Sequence, residues 1–190
     1  MKEYLIRDTL GEEAPLEECA WSPTPAPAAY FSAAYDETRG LLFRLRSLAA
    51  PTRTVNTAPD SAVWEDSCLE CFFSFDGKNY VNLEANANGA LRASFGPDRH
   101  DRRFLRELGV PLPTVEAQVT ADAWALCFTV PRETVAALFG LTPDHGSRFT
   151  ANFYSCGDDT PAPHYTAWSP VDTPQPDFHR PEYFGTLLIE

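Results

Sequence analysis

The chain reads as an all-β protein, an antiparallel β-sandwich in a single domain over residues 1–190 with one short helix. Three observations predict this. Several runs alternate apolar and polar side chains with the period of two that a half-buried strand requires, among them Tyr80 to Ala87, Trp124 to Val130 and Phe149 to Cys156. Asp/Asn/Gly or Pro-rich turn chemistry separates the runs. Only one segment carries both a helix start and a helix stop. At 190 residues the chain can bury a sizeable core without disulfides or metals as staples.

In chain order, Tyr4-Leu5-Ile6 is a first strand. The passage from Leu16 to Ala29 is acidic and then Pro/Ala-rich, an irregular connection of polyproline II character that Trp21 anchors to the body. Asp36 to Gly40 turns a hairpin between Ala33–Tyr35 and Leu41–Leu48, with Arg44 and Arg46 on one face and Phe43 and Leu45 on the other. Residues 49 to 63 are a polar loop that could fold over a sheet edge. A second hairpin joins Cys68–Phe75 to Tyr80–Ala87 through Asp76-Gly77-Lys78-Asn79, and Ala90–Phe95 follows as a third neighbouring strand. The basic passage with Arg99, His100, Arg102, Arg103 and Arg106 reads as a solvated loop. Val115–Thr120 pairs with Trp124–Val130, which places Trp124 in the core. Pro131 opens the helix, which runs through Phe139 to Gly140 and caps an open end of the sheets. Gly157 to Pro181 is Pro-rich and too long for a mere connector, and Tyr183 to Glu190 is the closing strand.

The stretch from Trp64 to Asn86 carries the most chemistry. Strand alternation puts Leu69, Cys71, Phe73, Phe75, Val81, Leu83 and Ala85 on a core face, with Leu91, Ala93 and Phe95 continuing it. The opposite face gathers Glu70, Asn82, Glu84, Asn86 and Arg92, and Asn152 of a later strand is a further candidate. Carboxylates, amides and a guanidinium are the groups that hydrogen-bond vicinal hydroxyls in pairs, and an indole such as Trp64 offers a flat surface to the C–H face of a pyranose. Long ordered loops on a rigid scaffold carry binding residues, so Trp168, with His164 and Tyr165 nearby, is the expected partner of Trp64. Arg99 and His100 are possible loop contacts to ligand hydroxyls. The competing reading of the same surface is a solvated sheet face with cross-strand ion pairs worth about 0.2–1 kcal/mol each.

Composition narrows the partners. A net charge of −12 disfavours nucleic acid and anionic membranes, which demand a basic footprint. No run is long and apolar enough for a signal h-region or a bilayer span, so a cytoplasmic location is expected if Met1 is the native start. The five cysteines, Cys19, Cys68, Cys71, Cys127 and Cys156, read as buried free thiols. Cys68 and Cys71 point to opposite faces of a strand, which argues against a metal shared between them. Asn56, Asp60 and Asp66 are oxygen donors in the loop beside the polar face, and calcium would suit such ligands.

On these residues the chain resembles the family 9 carbohydrate-binding modules and their relatives in the DOMON-like superfamily. The matching pieces are AAYDETRGLLFRL, WEDSCLECFFSFDGKNYVNLEANANG, DAWALCFTVPRETV, FTANFY and WSPVDTPQPDFHRPEYFGTLLI, which together span nearly the whole chain. The resemblance implies a jelly-roll-like sandwich and a slot in which two tryptophans hold a terminal sugar while charged and amide side chains bind its hydroxyls. The tryptophan ahead of the D-S-x-x-E segment falls on Trp64, the acid of that segment on Glu70, the tryptophan of the late loop on Trp168, and the family's arginine on Arg92. Haem binders of the superfamily use Met and His as axial ligands, and the sole methionine here is Met1, so haem is not expected. The expected function is non-catalytic binding of a terminal sugar or small oligosaccharide, linked to carbohydrate catabolism. Two alternatives stay open: an intracellular glycoside-active enzyme using Glu70 and Glu84, and a degenerate module used for protein contacts.

Overall fold

The structure, a computed structural model, describes residues 2–190. Its centre is the hairpin of β3 (Ala29–Asp36) and β4 (Gly40–Ser47), eight residues each. The Asp36 carboxylate closes the turn by accepting the backbone N–H groups of Thr38 and Arg39 at 2.8 and 2.9 Å. Gly40 is required there: its φ is +98°, and a Cβ would stand 2.1 Å from the Val130 carbonyl. β10 (Trp124–Val130) pairs along the other side of β4, β9 (Thr114–Val119) pairs with β10, and β2 (Ala14–Glu18) borders β3.

The facing sheet is built from β5 (Cys68–Ser74), β6 (Tyr80–Asn86) and β7 (Leu91–Gly96) in consecutive antiparallel register. The two-residue β8 (Arg103–Phe104) extends it beyond β7. On the other side β5 pairs with β11 (Arg148–Cys156), which in turn borders β12 (Tyr165–Ala167) near one end and β13 (Gly185–Ile189) near the other. β1 (Glu3–Ile6) adds to β13 in parallel, a departure from the all-antiparallel expectation. β2 pairs with both β3 and β12, so the strand order passes from one layer into the other without a break.

Between the layers lies the main core, with Phe31, Phe43, Phe73, Leu83, Leu126, Phe128 and Phe153 almost fully excluded from water. The alternation read from the sequence orients these strands as expected, and Trp124 is buried among them. α1 (Arg132–Phe139) begins after Pro131 and ends at Gly140, whose φ of +72° lets its N–H reach the Ala136 carbonyl at 3.0 Å. Phe139 meets Phe73, Phe75 and Phe95, so the helix caps that end of the core. Among the described residues no helix is long and apolar enough to cross a membrane.

Three strands escape the sequence reading. β2, with the sequence APLEE, and the two- and three-residue β8 and β12 lack enough alternation to be seen, and they exist because a neighbour supplies a register.

The larger correction concerns the outer face of the β5–β6–β7 sheet. Every residue of β5 and β6 is buried, so that face is neither solvated nor a row of exposed ion pairs. A second apolar cluster forms on it, in which Phe72, Tyr80 and Tyr154 pack with Val171, Phe178 and Phe184 of the Pro-rich segment and its sequel. The Phe178 and Tyr154 rings stack at 4.1 Å. The long segment is a lid over the sheet.

Trp168, expected as a wall of the binding slot, instead points into the main core at 3 % exposure. Its ring meets Phe31 at 5.0 Å and Phe153 at 6.0 Å, and those two stack on one another at 3.7 Å. The backbone N–H of Trp168 donates to Phe153 O at 2.9 Å, which continues the β12 pairing and turns the indole inward. Trp168→Ala should therefore behave as a large-to-small core substitution and lower unfolding free energy by about 3–5 kcal/mol in urea denaturation. A loss below about 1 kcal/mol would contradict this placement.

Candidate functional site

The polar residues of β5, β6 and β7 meet in one row because of the register. Tyr154 stands opposite Glu70, Glu70 opposite Glu84, and Glu84 opposite Arg92. The adjacent row aligns Asn152, Phe72, Asn82 and Ser94. Together with segments from other parts of the chain, these rows line a cavity of about 180 Å³. Its floor is Glu70, Asn82, Glu84, Arg92, Ser94 and Cys156, its aromatic walls come from Trp64, Trp21, Tyr165 and Phe178, and Arg99, Arg102, Asp177 and His179 also border it. A second cavity of about 330 Å³ lies near Leu105, Leu112 and Pro113, but there Asp60 and Arg106 satisfy one another at 2.6 Å.

Trp64 is held from behind. Its peptide sits in a single 3-10 turn, Val63–Glu65, and its carbonyl accepts the Asp158 N–H at 3.1 Å. The Arg92 guanidinium lies over the indole at 4.8 Å and over Phe104 at 4.9 Å, a cation held between two aromatic faces. Arg92 also donates from Nη1 to the Asp60 carbonyl at 2.8 Å.

The two floor carboxyls are 3 % and 4 % exposed, which decides their chemistry. Burial pushes the Glu70 carboxyl well above the usual range, and the facing Glu84 pushes it further. The Cys156 thiol donates to Glu70 Oε1 at 3.0 Å. Burial also raises Glu84, but Arg92, whose Nε stands 3.9 Å away, and the donating Asn82 amide pull it back. Both acids are thus raised, Glu70 the more strongly, because Glu84 alone has a guanidinium and an amide donor beside it.

A second network braces Asn82. Its Oδ1 accepts from Ser94 Oγ at 2.6 Å and from Arg102, whose Nε also donates to Ser94 Oγ at 3.0 Å. Arg102 lies 4.3 Å over the Tyr80 ring. The Tyr80 hydroxyl shares a 2.8 Å hydrogen bond with His179 Nδ1. Among the described residues the buried Trp21 indole N–H has no partner, so one wall of the cavity holds an unmatched donor.

The structure thus brings Trp64, Glu70, Asn82, Glu84 and Arg92 together, with Arg99 and Tyr165 at the same cavity. It removes Trp168 to the core and Asn152 to a structural role. The Asn152 amide is fully buried and exchanges hydrogen bonds with the Ser169 backbone, Oδ1 accepting at 2.8 Å and Nδ2 donating at 2.9 Å, which pins the strand to the start of the lid. His164 is also buried away from the cavity, its Nδ1 2.9 Å from the Ala162 carbonyl. His100 sits on the exposed turn built on Asp98 and does not border the cavity.

Arg102, His179, Phe178 and Trp21 are among the cavity residues that the sequence reading does not identify as part of a site. Arg102 was absorbed into a basic surface loop, and only the P-D-F-H run inside the Pro-rich segment could have signalled the other wall.

The proposed calcium ligands do not fit calcium. Asp66 is fully buried and its oxygens accept the N–H groups of Val55 at 3.1 Å and Asn56 at 2.9 Å, the Asn86 amide at 2.7 Å, and the Arg53 guanidinium. Burial alone would raise this carboxyl, but those donors hold it below its ordinary value. A guanidinium and amides stand where a cation would need oxygens. Asn56 and Asp60 are likewise engaged, Asn56 Nδ2 donating to the Ala62 carbonyl at 3.0 Å and Asp60 bound to Arg106.

Comparison with known proteins follows the same lines. Residues 2–189 match the family model described as carbohydrate-binding family 9. Among curated proteins none matches. Of solved structures, a "putative carbohydrate-binding protein" from Bacteroides uniformis superposes with a TM-score of 0.82 at 27 % identity, over 100 % of this chain and 99 % of that one. A family 9 carbohydrate-binding module from Caldicellulosiruptor kristjanssonii, solved with glucose, superposes at 0.65 with 11 % identity, covering 100 % of this chain and 96 % of the other. A structure of such a module from the same organism with cellotriose gives 0.60 at 11 % identity, over 100 % and 94 %. At 11 % identity the likeness of these two is one of fold, a β-sandwich.

The environment of His179 makes a pH prediction. Burial lowers its pKa to about 3, helped by Arg102, Arg99 and Arg92, so the ring is neutral in the folded protein. The unfolded chain takes up this proton near pH 6.5. Between about pH 6.5 and 3 the unfolded state therefore binds more protons, and this group makes stability fall as pH falls through that window. His179→Gln should flatten the acid limb of the stability profile, and the His179 ring protons should not titrate between pH 7 and 5 by NMR.

Proposed function

The chain belongs to carbohydrate-binding family 9, and from that premise we propose that it binds a neutral saccharide, as a terminal sugar or small oligosaccharide, without transforming it. The single observation that carries the reading is the composition of the cavity. An indole backed by Arg92 lies beside a floor of buried carboxyl, amide and hydroxyl groups, and Glu70, Asn82, Glu84 and Ser94 all reach it from adjacent strands. Hydroxyl-rich ligands need donors and acceptors together, and this floor supplies both: the carboxyl oxygens of Glu70 and Glu84 accept, while the Arg92 guanidinium donates. The relatives solved with glucose and cellotriose support the ligand class.

The two-tryptophan slot takes a different form in this reading. Trp64 is one wall. The other is the cluster of Trp21, Tyr165 and Phe178, whose rings lie 5.0 to 6.1 Å from one another. The physiological setting of this reading is carbohydrate catabolism inside the cell.

One observation favours a second reading. Glu70 and Glu84 face one another on adjacent strands, Glu70 raised more strongly than Glu84, and a pair of carboxyls in unequal surroundings is the equipment of a glycoside hydrolase. The degenerate-module alternative loses its main support, because the cavity remains open and Trp168 does not fill it.

Calorimetry against glucose, cellotriose and a wider glycan panel tests the proposal. Trp64→Ala should weaken saccharide binding by about 2 kcal/mol or more, roughly thirtyfold, while Trp64→Phe keeps part of it. Undiminished affinity in Trp64→Ala would overturn the site. Release of reducing sugar by the purified protein, lost in Glu70→Gln, would establish the enzyme instead.

A further inference from the structure

Beneath the sugar floor three potential metal ligands converge. Cys68 and Glu70 are two residues apart on β5 and so leave the strand on the same face, and Cys156 of β11 stands directly opposite Cys68 in the register. One ligand atom from each of these three residues lies within 4.8 Å of the other two, and all three residues are buried. The cysteine pair is not the C-x-x-C that the sequence displays, since Cys71 points into the main core. It is assembled from strands far apart in the chain.

We propose that Cys68, Glu70 and Cys156 form a binding site for one soft or borderline divalent cation of the zinc or cobalt class, seated in the wall of the cavity. Two thiolate sulfurs and a carboxylate oxygen suit such an ion better than calcium or magnesium, which take oxygen alone. Three protein ligands leave a fourth tetrahedral position. Cys156 and Glu70 border the cavity and Cys68 does not, so that position faces the cavity, where water or a ligand hydroxyl can occupy it.

The surroundings agree with this use. Burial raises the Cys68 thiol to about 12, and the hydrogen bond with Cys68 together with burial raises Cys156, so charge on these sulfurs is costly without an ion. A cation entering through the cavity reverses that balance, because thiolate and carboxylate charges that are costly alone are offset by the metal. The ion binds in sugar-free protein, so the inference stands apart from the saccharide reading.

Chelator-treated protein, kept reduced with a phosphine, is titrated with Co²⁺ and then with Zn²⁺. The expected result is one equivalent of Co²⁺ bound, with a near-ultraviolet thiolate-to-cobalt charge-transfer band that Zn²⁺ abolishes. Cys156→Ser and Cys68→Ser should each lose the band or weaken affinity at least tenfold, and Cys127→Ser, a half-buried thiol on the other sheet, should leave it unchanged. If the serine variants do not fold, X-ray absorption on the wild-type protein replaces them and should show two sulfurs in the zinc shell. Absence of the band, its survival in Cys156→Ser, or a zinc shell without sulfur overturns the site. Glucose titrated into metal-free protein reports on the saccharide reading separately.

Discussion

The cavity depends on one buried carboxylate, that of Asp66. Its donors come from three directions: the Val55 and Asn56 peptides, the Arg53 side chain, and the Asn86 amide at the end of β6. Ser67 extends the seam, its Oγ accepting the Thr52 N–H at 2.9 Å and its own N–H donating to Arg53 O at 3.0 Å. A polar loop without a core of its own is thereby held against the sheet, and the turn that carries Trp64 is fixed between that loop and Asp158–Asp159. A buried charge with all its lone pairs engaged is costly to disturb, because removing one partner leaves another unpaired in a low dielectric.

The same principle shapes the floor. Placing Glu70 directly opposite Glu84 would be repulsive if both were charged, and burial makes this worse. The conflict is resolved by unequal surroundings: Glu84 receives Arg92 and Asn82, and Glu70 receives a thiol. The lid enforces this arrangement. Phe178 stacks on Tyr154, His179 joins Tyr80, and the face that a simple two-layer sandwich would leave wet is covered except at the cavity. Local rules are broken on this face, as happens where a protein uses a surface rather than merely covering it.

Much of this was legible in the amino-acid order. The alternation in 80–87 correctly separates Val81, Leu83 and Ala85 from Asn82 and Glu84, and the single helix begins and ends where Pro131 and Gly140 place it. The gathering of Glu70, Asn82, Glu84 and Arg92 on one face follows from adjacent hairpins, in which register is a local property. Asp66 was seen as an oxygen donor but not as the acceptor of an arginine thirteen residues away. Trp168 was placed on the wrong side because the Pro-rich segment has no periodicity, and one strand residue more or less sends an indole to the opposite layer.

By itself the sequence determined the class of the fold, the in-and-out assignment of strands β4, β5, β6, β7, β10 and β11 and the chemistry of the floor, since all three rest on contacts between residues close along the chain or across a hairpin. Which side chains face that floor was decided by the tertiary structure. Trp21, Arg102, Phe178 and His179 reach the cavity only because the lid and the neighbouring loops close over a sheet face, and Cys156 meets Cys68 only because β11 lies beside β5. Such long-range placements depend on the total burial available to the whole chain, which no local pattern of residues encodes.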